Sequence, residues 1–287
     1  MSLTALGYLL LSVVFSLLIA HFLKIVEVKK ANTLQVLTIN YLTAGLLAVG
    51  VTTSGGHDLI PAFPLWMYGL AVIVGIFFIA NFFVYSKSIH DNGVGVSITA
   101  MRVSLLIPVV ISIAVYNEPL TLLRLAGILL VLMALILLVT DRRSKQMARL
   151  NRHWLLILLF LFTGIADASM KVFEQEGLAV ATETHYLGIV FSTSFIIGLI
   201  AIIYKGMEKF TLRLVGLGVA IGVPNLLTSV FLIKALQHAD GTVIYSAVNI
   251  LTVIGGTLIG RFYWDDTITA LQAFGMIMAL VAIVILV

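Results

Sequence analysis

Ten apolar stretches, each about twenty residues long, follow one another along the chain, and short polar segments separate them. About twenty residues of α-helix cross the roughly 30 Å hydrocarbon core of a bilayer, at about 1.5 Å per residue. Inside that core, a helix satisfies its own backbone hydrogen bonds, which an irregular segment cannot do. The pattern therefore predicts an all-α integral membrane protein with ten transmembrane helices.

The composition agrees with this class and excludes others. Apolar residues make up 61% of the 287 residues and charged residues 10%, whereas soluble domains are about half apolar and about a quarter charged. There is no cysteine, which excludes disulfides, iron–sulfur clusters and thiolate catalysis. The six histidines do not fall at zinc-ligand spacings, and no nucleotide-binding or hydrolase motif occurs. We therefore expect no cofactor, no metal, no enzymatic activity and no nucleic-acid partner.

The apolar runs, and the polar residues that separate them, set the boundaries of the ten spans. The spans cover residues 3–23, 34–52, 65–86, 93–115, 120–140, 154–174, 184–204, 212–235, 240–262 and 266–287. Most connections are short, which predicts antiparallel neighbours. The exception is the basic segment 141–153, a linker that separates a first five-helix half (1–140) from a second (154–287).

The two halves resemble each other at a shift of 148 residues. Polar residues and glycines near helix ends then coincide: His90 with His238, Thr121 with Thr269, Gly127 with Gly275, and Glu118 with Asp266. Because five is an odd number, the second half must enter the membrane upside down relative to the first. Two inverted repeats are a common build of secondary transporters, whose substrate site lies between the repeats near the midplane.

The same positions resemble the EamA repeat of the drug/metabolite transporter superfamily. The first half matches in residues 85–93, Pro108, the turn 116–121 and Gly127; the second matches in residues 234–236, Gly241, residues 262–267 and Gly275. The sequence departs from the family pattern at both turns, with Asn117-Glu118 and Asp265-Asp266 in place of Gly-Glu. Gly256 stands in place of the second mid-helix proline.

This resemblance implies a ten-helix transporter of small metabolites, with a central cavity between the repeats and alternating access. Members of the superfamily carry substrates as different as amino acids, cations, nucleotide sugars and triose phosphates, so the substrate stays open. The expected partners are a small-molecule substrate and the lipid bilayer. Two pairs of glycines four residues apart, beginning at Gly218 and Gly256, allow close helix contact. We expect that contact within the bundle, hence a monomer or a weak homodimer.

The basic residues predict an orientation. Thirteen of the 17 lysine and arginine residues fall in the connections of one side, and three, Arg124, Lys171 and Lys234, fall on the other. The positive-inside rule then places the central linker in the cytoplasm and both termini outside, in the inner (cytoplasmic) membrane. The family resemblance implies the reverse, because its members are usually described with cytoplasmic termini, and both orientations stay open.

Charged residues within the spans are the first candidates for a site, because a charge at membrane depth costs a few to more than ten kcal/mol. Arg102 lies near the middle of the fourth span, and its guanidinium suits a carboxylate or phosphate. Asp167, in the sixth span, is its natural partner or a proton-coupling group. Lys171 follows Asp167 by one turn, so an ion pair between these two is the structural alternative.

Five uncharged residues complete the predicted substrate site: Ser97, Asn81, Asn225, Tyr245 and Asn249. Ser97 and Tyr245 coincide at the 148-residue shift, and Asn225 follows the mid-helix Pro224, which frees a backbone carbonyl. For each asparagine, the alternative is a hydrogen bond between helices. Glu118 and the Asp265-Asp266 pair are expected to cap the helices that follow them.

The leading function is a secondary active transporter of a small anionic or zwitterionic metabolite, such as an amino acid, with Arg102 holding the acid group. One alternative is a flippase for a lipid-linked head group, which would need a lateral opening between helices. Another is a membrane scaffold or sensor that transports nothing.

Overall fold

The computed structural model describes residues 1–92, 94–139, 152–206, 209–265 and 268–286. Most of the predicted linker and two matched positions, Gly93 and Asp266, lie outside these residues. All regular structure within them is helical. The helices are α1 (Leu3–Val28), α2 (Thr33–Ser54), α3 (Leu65–Asn92), α4 (Val94–Val103), α5 (Leu106–Ala114), α6 (Leu122–Val139), α7 (His153–Glu176), α8 (Glu183–Lys205), α9 (Leu212–Leu236), α10 (Gly241–Tyr263) and α11 (Ala270–Leu286).

Eight segments of the described chain are long and apolar enough to cross a membrane, with α4 and α5 together forming one of them, and α6 and α11 are shorter apolar helices. The predictions of an all-α chain and of membrane-length apolar helices are therefore confirmed. Most boundaries agree within a few residues. Helix α1 runs past the predicted end because Val26, in its last turn, is buried against Val36 and Ile221.

Small polar side chains start several of these helices. The Ser2 hydroxyl accepts a hydrogen bond from the Ala5 backbone N–H at 3.1 Å, and the Thr211 hydroxyl accepts one from the Leu214 N–H at 3.2 Å. Such caps satisfy N–H groups that the first helical turn leaves without partners. The residues that separate the apolar stretches therefore determine where these helices start.

The fourth predicted span, 93–115, is not one continuous helix. It is interrupted at Ser104 and Leu105, between α4 and α5. Pro108 lies in the first turn of α5, where its missing N–H is tolerated, but its ring would clash with the carbonyl four residues earlier, at Ser104. The break therefore falls immediately after Arg102, at the level of the candidate site.

The two halves of the chain interlock. Helix α1 packs on α9 and α10, α2 packs between α8 and α9, and α3 packs on α7 and α8. At one edge, α6 packs on α11. The main hydrophobic core draws buried residues from both halves, including Leu9, Tyr41, Ile79, Phe191 and Tyr245. Helix α7 packs on α4 and α5, and α10 packs on α5 and α6.

Candidate functional site

Arg102 and Asn249 meet inside the bundle. The Arg102 Nη1 donates to the Asn249 Oδ1 at 3.4 Å, and this is the one hydrogen bond that its side chain makes to the described residues. A guanidinium carries five N–H donors. The described residues therefore leave most of its donors unused, and the side chain is partly exposed.

Helix α10 connects this arginine to α7. The Asn249 Nδ2 donates to the backbone carbonyl of Tyr245 at 3.1 Å, one turn earlier on α10. The Tyr245 hydroxyl donates to the backbone carbonyl of Asp167 at 2.8 Å. Three predicted site residues thus join Arg102 in one cluster that ties α4, α7 and α10 together.

The Asp167 carboxylate lies within electrostatic range of Arg102, and so does the Tyr85 hydroxyl. Among the described residues, however, Asp167 makes no direct ion pair with Arg102, and its carboxylate accepts no hydrogen bond from another side chain. Like Arg102, it is partly exposed. The site therefore holds a guanidinium and a carboxyl group that do not form a direct ion pair.

Asn81 extends this cluster by one helical turn. Its Nδ2 donates to the Thr163 hydroxyl at 3.1 Å, while its Oδ1 is buried and has no partner among the described residues. Asn81 is four residues before Tyr85 on α3, and Thr163 is four residues before Asp167 on α7. Residues four apart share a helix face, so both helices present a polar face at this level. The unpaired oxygen is an acceptor for a donor that the described residues do not supply.

Two predicted residues fall elsewhere. The Asn225 Nδ2 donates to the Oδ1 of Asn40, on α2, at 3.0 Å, which is the hydrogen bond between helices that was the alternative reading. The Ser97 hydroxyl lies 2.7 Å from the Ser88 hydroxyl, near the C-terminal end of α3. Helix α9 continues through Pro224. No hydrogen bond in the described chain links either residue to Arg102.

Lys171 does not pair with Asp167, contrary to the i, i+4 expectation. Its Nζ lies 3.2 Å from the Glu118 Oε1 and 2.9 Å from the Glu174 Oε2, and 5.8 Å from the centre of the Tyr116 ring. A buried ammonium is stable only when partners replace its water. Two carboxylates and an aromatic ring at the end of α7 replace more of the lost water than the single carboxylate of Asp167 would.

The expectation that Glu118 caps the following helix is also wrong. Its carboxylate accepts hydrogen bonds from the Gly241 N–H at 2.7 Å and the Thr242 N–H at 3.0 Å, so it caps α10. The start of α6 is capped by Thr121 instead. Burial by itself raises the pKa of Glu118, but these hydrogen bonds and the charge of Lys171 outweigh it and hold the pKa below its usual range. Glu118 is therefore a carboxylate at neutral pH.

At the opposite end of the bundle, a cavity of about 650 Å³ opens between α2, α3, α7 and α8. Its lining includes Lys87, Arg152, Lys205 and Phe83. Arg152 is paired with Asp91 at 3.4 Å, and the Lys205 ammonium lies 4.8 Å from the centre of the Phe83 ring. Arg102 does not line this cavity, so the open and positively charged space and the central cluster are separate features.

The described residues contain no group of three histidine or acidic side chains that could hold a metal ion. Sequence reasoning identified the charged pair and its α10 partners. It missed Tyr85, Thr163 and Asn40, although Tyr85 is part of the segment that resembles the EamA repeat. No spacing rule connects Thr163 or Asn40 to their partners, because these lie on other helices.

Comparison with known proteins adds a relative and a fold. No family model matches the chain. An uncharacterized protein of Haemophilus influenzae is 27% identical over 283 residues, which cover 96% of this chain and 95% of that protein. A protein solved by crystallography superposes with a TM-score of 0.79 at 12% identity, over 97% of each chain. This second similarity concerns the fold alone.

Proposed function

We propose that this protein is a secondary transporter that moves a small anionic or zwitterionic metabolite, such as an amino acid, by alternating access. The observation that carries the proposal is the pair Arg102 and Asp167: two opposite charges inside the bundle without a direct ion pair. An amino acid offers the matching pair, a carboxylate for the guanidinium and an ammonium for the carboxylate. The unpaired Asn81 oxygen offers the ammonium a further acceptor.

We also propose that the ten spans are two inverted repeats, residues 1–140 and 154–287. The contact of α6 with α11 supports this. A Cβ atom at Gly127 would lie 2.7 Å from Leu286, and one at Gly275 would lie 3.2 Å from Leu138. Gly127 and Gly275 are 148 residues apart, and so are Leu138 and Leu286. Each of the two helices therefore uses the equivalent glycine to contact the equivalent C-terminal part of the other helix. A two-fold axis in the membrane plane would produce this exchange.

A second pair of contacts supports the same symmetry. A Cβ atom at Gly75 would lie 2.6 Å from the Val190 carbonyl and 2.7 Å from Thr193. At Gly222, 147 residues later, it would lie 2.7 Å from the Asn40 carbonyl and 2.6 Å from Thr43. The contact of α3 with α8 thus repeats in that of α9 with α2. With the EamA-like segments, this supports membership of the drug/metabolite transporter superfamily.

The proposal further places the protein as a monomer or weak dimer in the cytoplasmic membrane, with Asp167 as the group that couples transport to protons. Since Asp167 shares the site with Arg102, a bound substrate and a bound proton would each change the charge that the other meets. That arrangement is the minimum a proton-coupled transporter requires.

A ligand screen tests the assignment of Arg102. The purified protein is heated with the common amino acids, short carboxylates and phosphate esters. We expect compounds that carry a carboxylate to raise the Tm by a few degrees, and the Arg102→Ala variant to lose that shift. The same compound is then offered to proteoliposomes, where the variant should lose uptake.

Arg261→Ala is the matched control, because Arg261 is exposed at the end of α10 and should keep both signals. Equal stabilisation of the wild type and Arg102→Ala would refute the assignment. A stabilising ligand that never crosses the membrane would favour a sensor, and selective movement of a lipid-linked head group would favour a flippase.

A further inference from the structure

We propose that Glu118, Lys171 and Glu174, with the first turn of α10, form a gate that is closed in this structure and separates the central site from the end of the bundle opposite the 650 Å³ cavity. The inference rests on the proposed transport function, and it names the contacts that must break for the site to open at that end. We call these residues the Glu118 gate.

The Glu118 gate is a closed electrostatic network. The carboxylate of Glu118 binds two N–H groups of α10, at Gly241 and Thr242, and the ammonium of Lys171. Lys171 in turn binds Glu174. The three charged side chains are only 7%, 4% and 10% exposed, in the order Glu118, Lys171, Glu174. Loss of Lys171 would leave two nearly buried carboxylates without their cation, and loss of Glu118 would leave two N–H groups of α10 without their acceptor.

The gate joins elements that also carry the site. Glu118 lies in the connection between α5 and α6, whereas Lys171 is one turn after Asp167 on α7. Gly241 is one turn before Tyr245 on α10. Release of Glu118 would therefore free the α10 segment whose Tyr245 and Asn249 hold Asp167 and Arg102. Two helices, α7 and α10, therefore connect the Glu118 gate directly to the central site.

Close packing reinforces the closed state. A Cβ atom at Gly241 would collide with the Ser112 hydroxyl of α5, so only a glycine lets α10 approach this closely. Beside it, Arg124 of α6 pairs with Asp240 at 2.7 Å. These contacts again link the first half of the chain to the start of α10.

The other half carries the same lysine and glutamate in an exposed state. Lys24 and Glu27, at the end of α1, repeat the spacing of Lys171 and Glu174 147 residues earlier. They pair at 3.1 Å, yet their side chains are 42% and 71% exposed. A cavity of about 190 Å³ opens beside Lys24, between α1 and α10. One copy of the motif is thus buried and the other is open to its surroundings, as expected when one end is closed and the other is not.

Because the chain has no cysteine, a single introduced thiol reports the state of the gate. Thr242 is buried, and its hydroxyl has no partner, so Thr242→Cys preserves the backbone hydrogen bond to Glu118. In nanodiscs, where both ends are accessible, a hydrophilic maleimide should label this thiol slowly. Adding Glu118→Gln should raise the labelling rate at least ten-fold. Adding Glu27→Gln, the matched change in the exposed copy, should leave it unchanged.

Lys171→Gln is the second variant if Glu118→Gln does not fold, and it should raise labelling in the same way. Every variant is compared at a temperature well below its own Tm. Unchanged labelling in a folded Glu118→Gln or Lys171→Gln protein would overturn the gate. An equal increase with Glu27→Gln would do so as well. The readout needs no substrate, so loss of the gate is distinguished from failure of the ligand screen, which would overturn the transport proposal instead.

Discussion

At the scale of single residues, two cations inside the bundle, Lys171 and Arg102, are held in opposite ways. Lys171 has two carboxylates within 3.2 Å, which is what a structural charge in a membrane protein requires. Among the residues that the structure describes, Arg102 has one side-chain hydrogen bond of 3.4 Å, to a neutral amide. A charge at membrane depth costs a few to more than ten kcal/mol when it is not compensated. The difference fits the proposal that Arg102 binds an anionic group of the substrate, whereas Lys171 is already paired within the protein.

Asp167 belongs to the same scale. The Asp167→Asn variant keeps the shape of the side chain and cannot release or bind a proton. If Asp167 couples transport to protons, the pH dependence of uptake into proteoliposomes should flatten. Asp58→Asn is the control, since Asp58 is exposed and His185 contacts its backbone carbonyl instead of its side chain. A pH profile identical to that of the wild type would exclude the coupling role.

At the scale of helices, the two mid-span prolines act differently. Pro108 accompanies a break between α4 and α5, whereas α9 continues through Pro224. The break leaves Arg102 near the end of α4, where the Ala100 carbonyl accepts the Ser104 N–H and the Arg102 carbonyl accepts the Leu105 N–H. Partial negative charge at a helix end favours a cation. The break therefore helps to keep a guanidinium in the bundle without a direct carboxylate partner.

Glycine contacts between helices give a prediction about packing. A Cβ atom at Gly75 would lie 2.6 Å from the Val190 carbonyl, so Gly75→Ala should force α3 away from α8. We expect a loss of about 1–3 kcal/mol in stability, the usual effect of overpacking. Thermal unfolding in detergent measures it.

Gly69→Ala is the matched control on the same helix, where nothing lies within 4 Å of the new Cβ. Alanine is the better helix former there, by roughly 0.5–1 kcal/mol. A Gly75→Ala protein as stable as the Gly69→Ala protein would contradict the close contact between α3 and α8.

At the scale of the whole molecule, ion pairs add to the difference in positive charge between the two ends of the bundle. Among the exceptions to the basic side, Arg124 pairs with Asp240 and Lys171 pairs with Glu118. Two of the three cations at that end are thus neutralised by acids beside them. Lys87 and Lys205 line the 650 Å³ cavity at the other end, and the positive-inside rule places that end in the cytoplasm.

This orientation predicts the behaviour of a reporter. A protein that is active only in the cytoplasm, fused after Val287, should be silent. The same reporter fused to a chain truncated after Met147, within the linker, should be active. Strong activity after Val287 would instead place both termini in the cytoplasm, as the family resemblance implies.

The sequence by itself determined that the chain is all-helical with apolar helices of membrane length, and it predicted the short set of residues in which a site could lie. Hydropathy and helix caps are local properties, so α1 to α11 could be located approximately from neighbouring residues alone. The charged pair Arg102 and Asp167 was identified because charge is rare in such a chain. The sequence predicted 93–115 as one span, and the break between α4 and α5 is explained by the clash between the Pro108 ring and the Ser104 carbonyl.

Only the tertiary structure decided which polar residues meet. Asn225 faces Asn40 and not Arg102, and Glu118 caps α10, more than a hundred residues away. Lys171 turns to Glu118 instead of Asp167. The physical reason is that membrane helices are apolar on nearly every face, so their periodicity does not reveal which face is inside. The rotation of each helix is set by close packing against its neighbours, and that packing brings together residues far apart in the sequence.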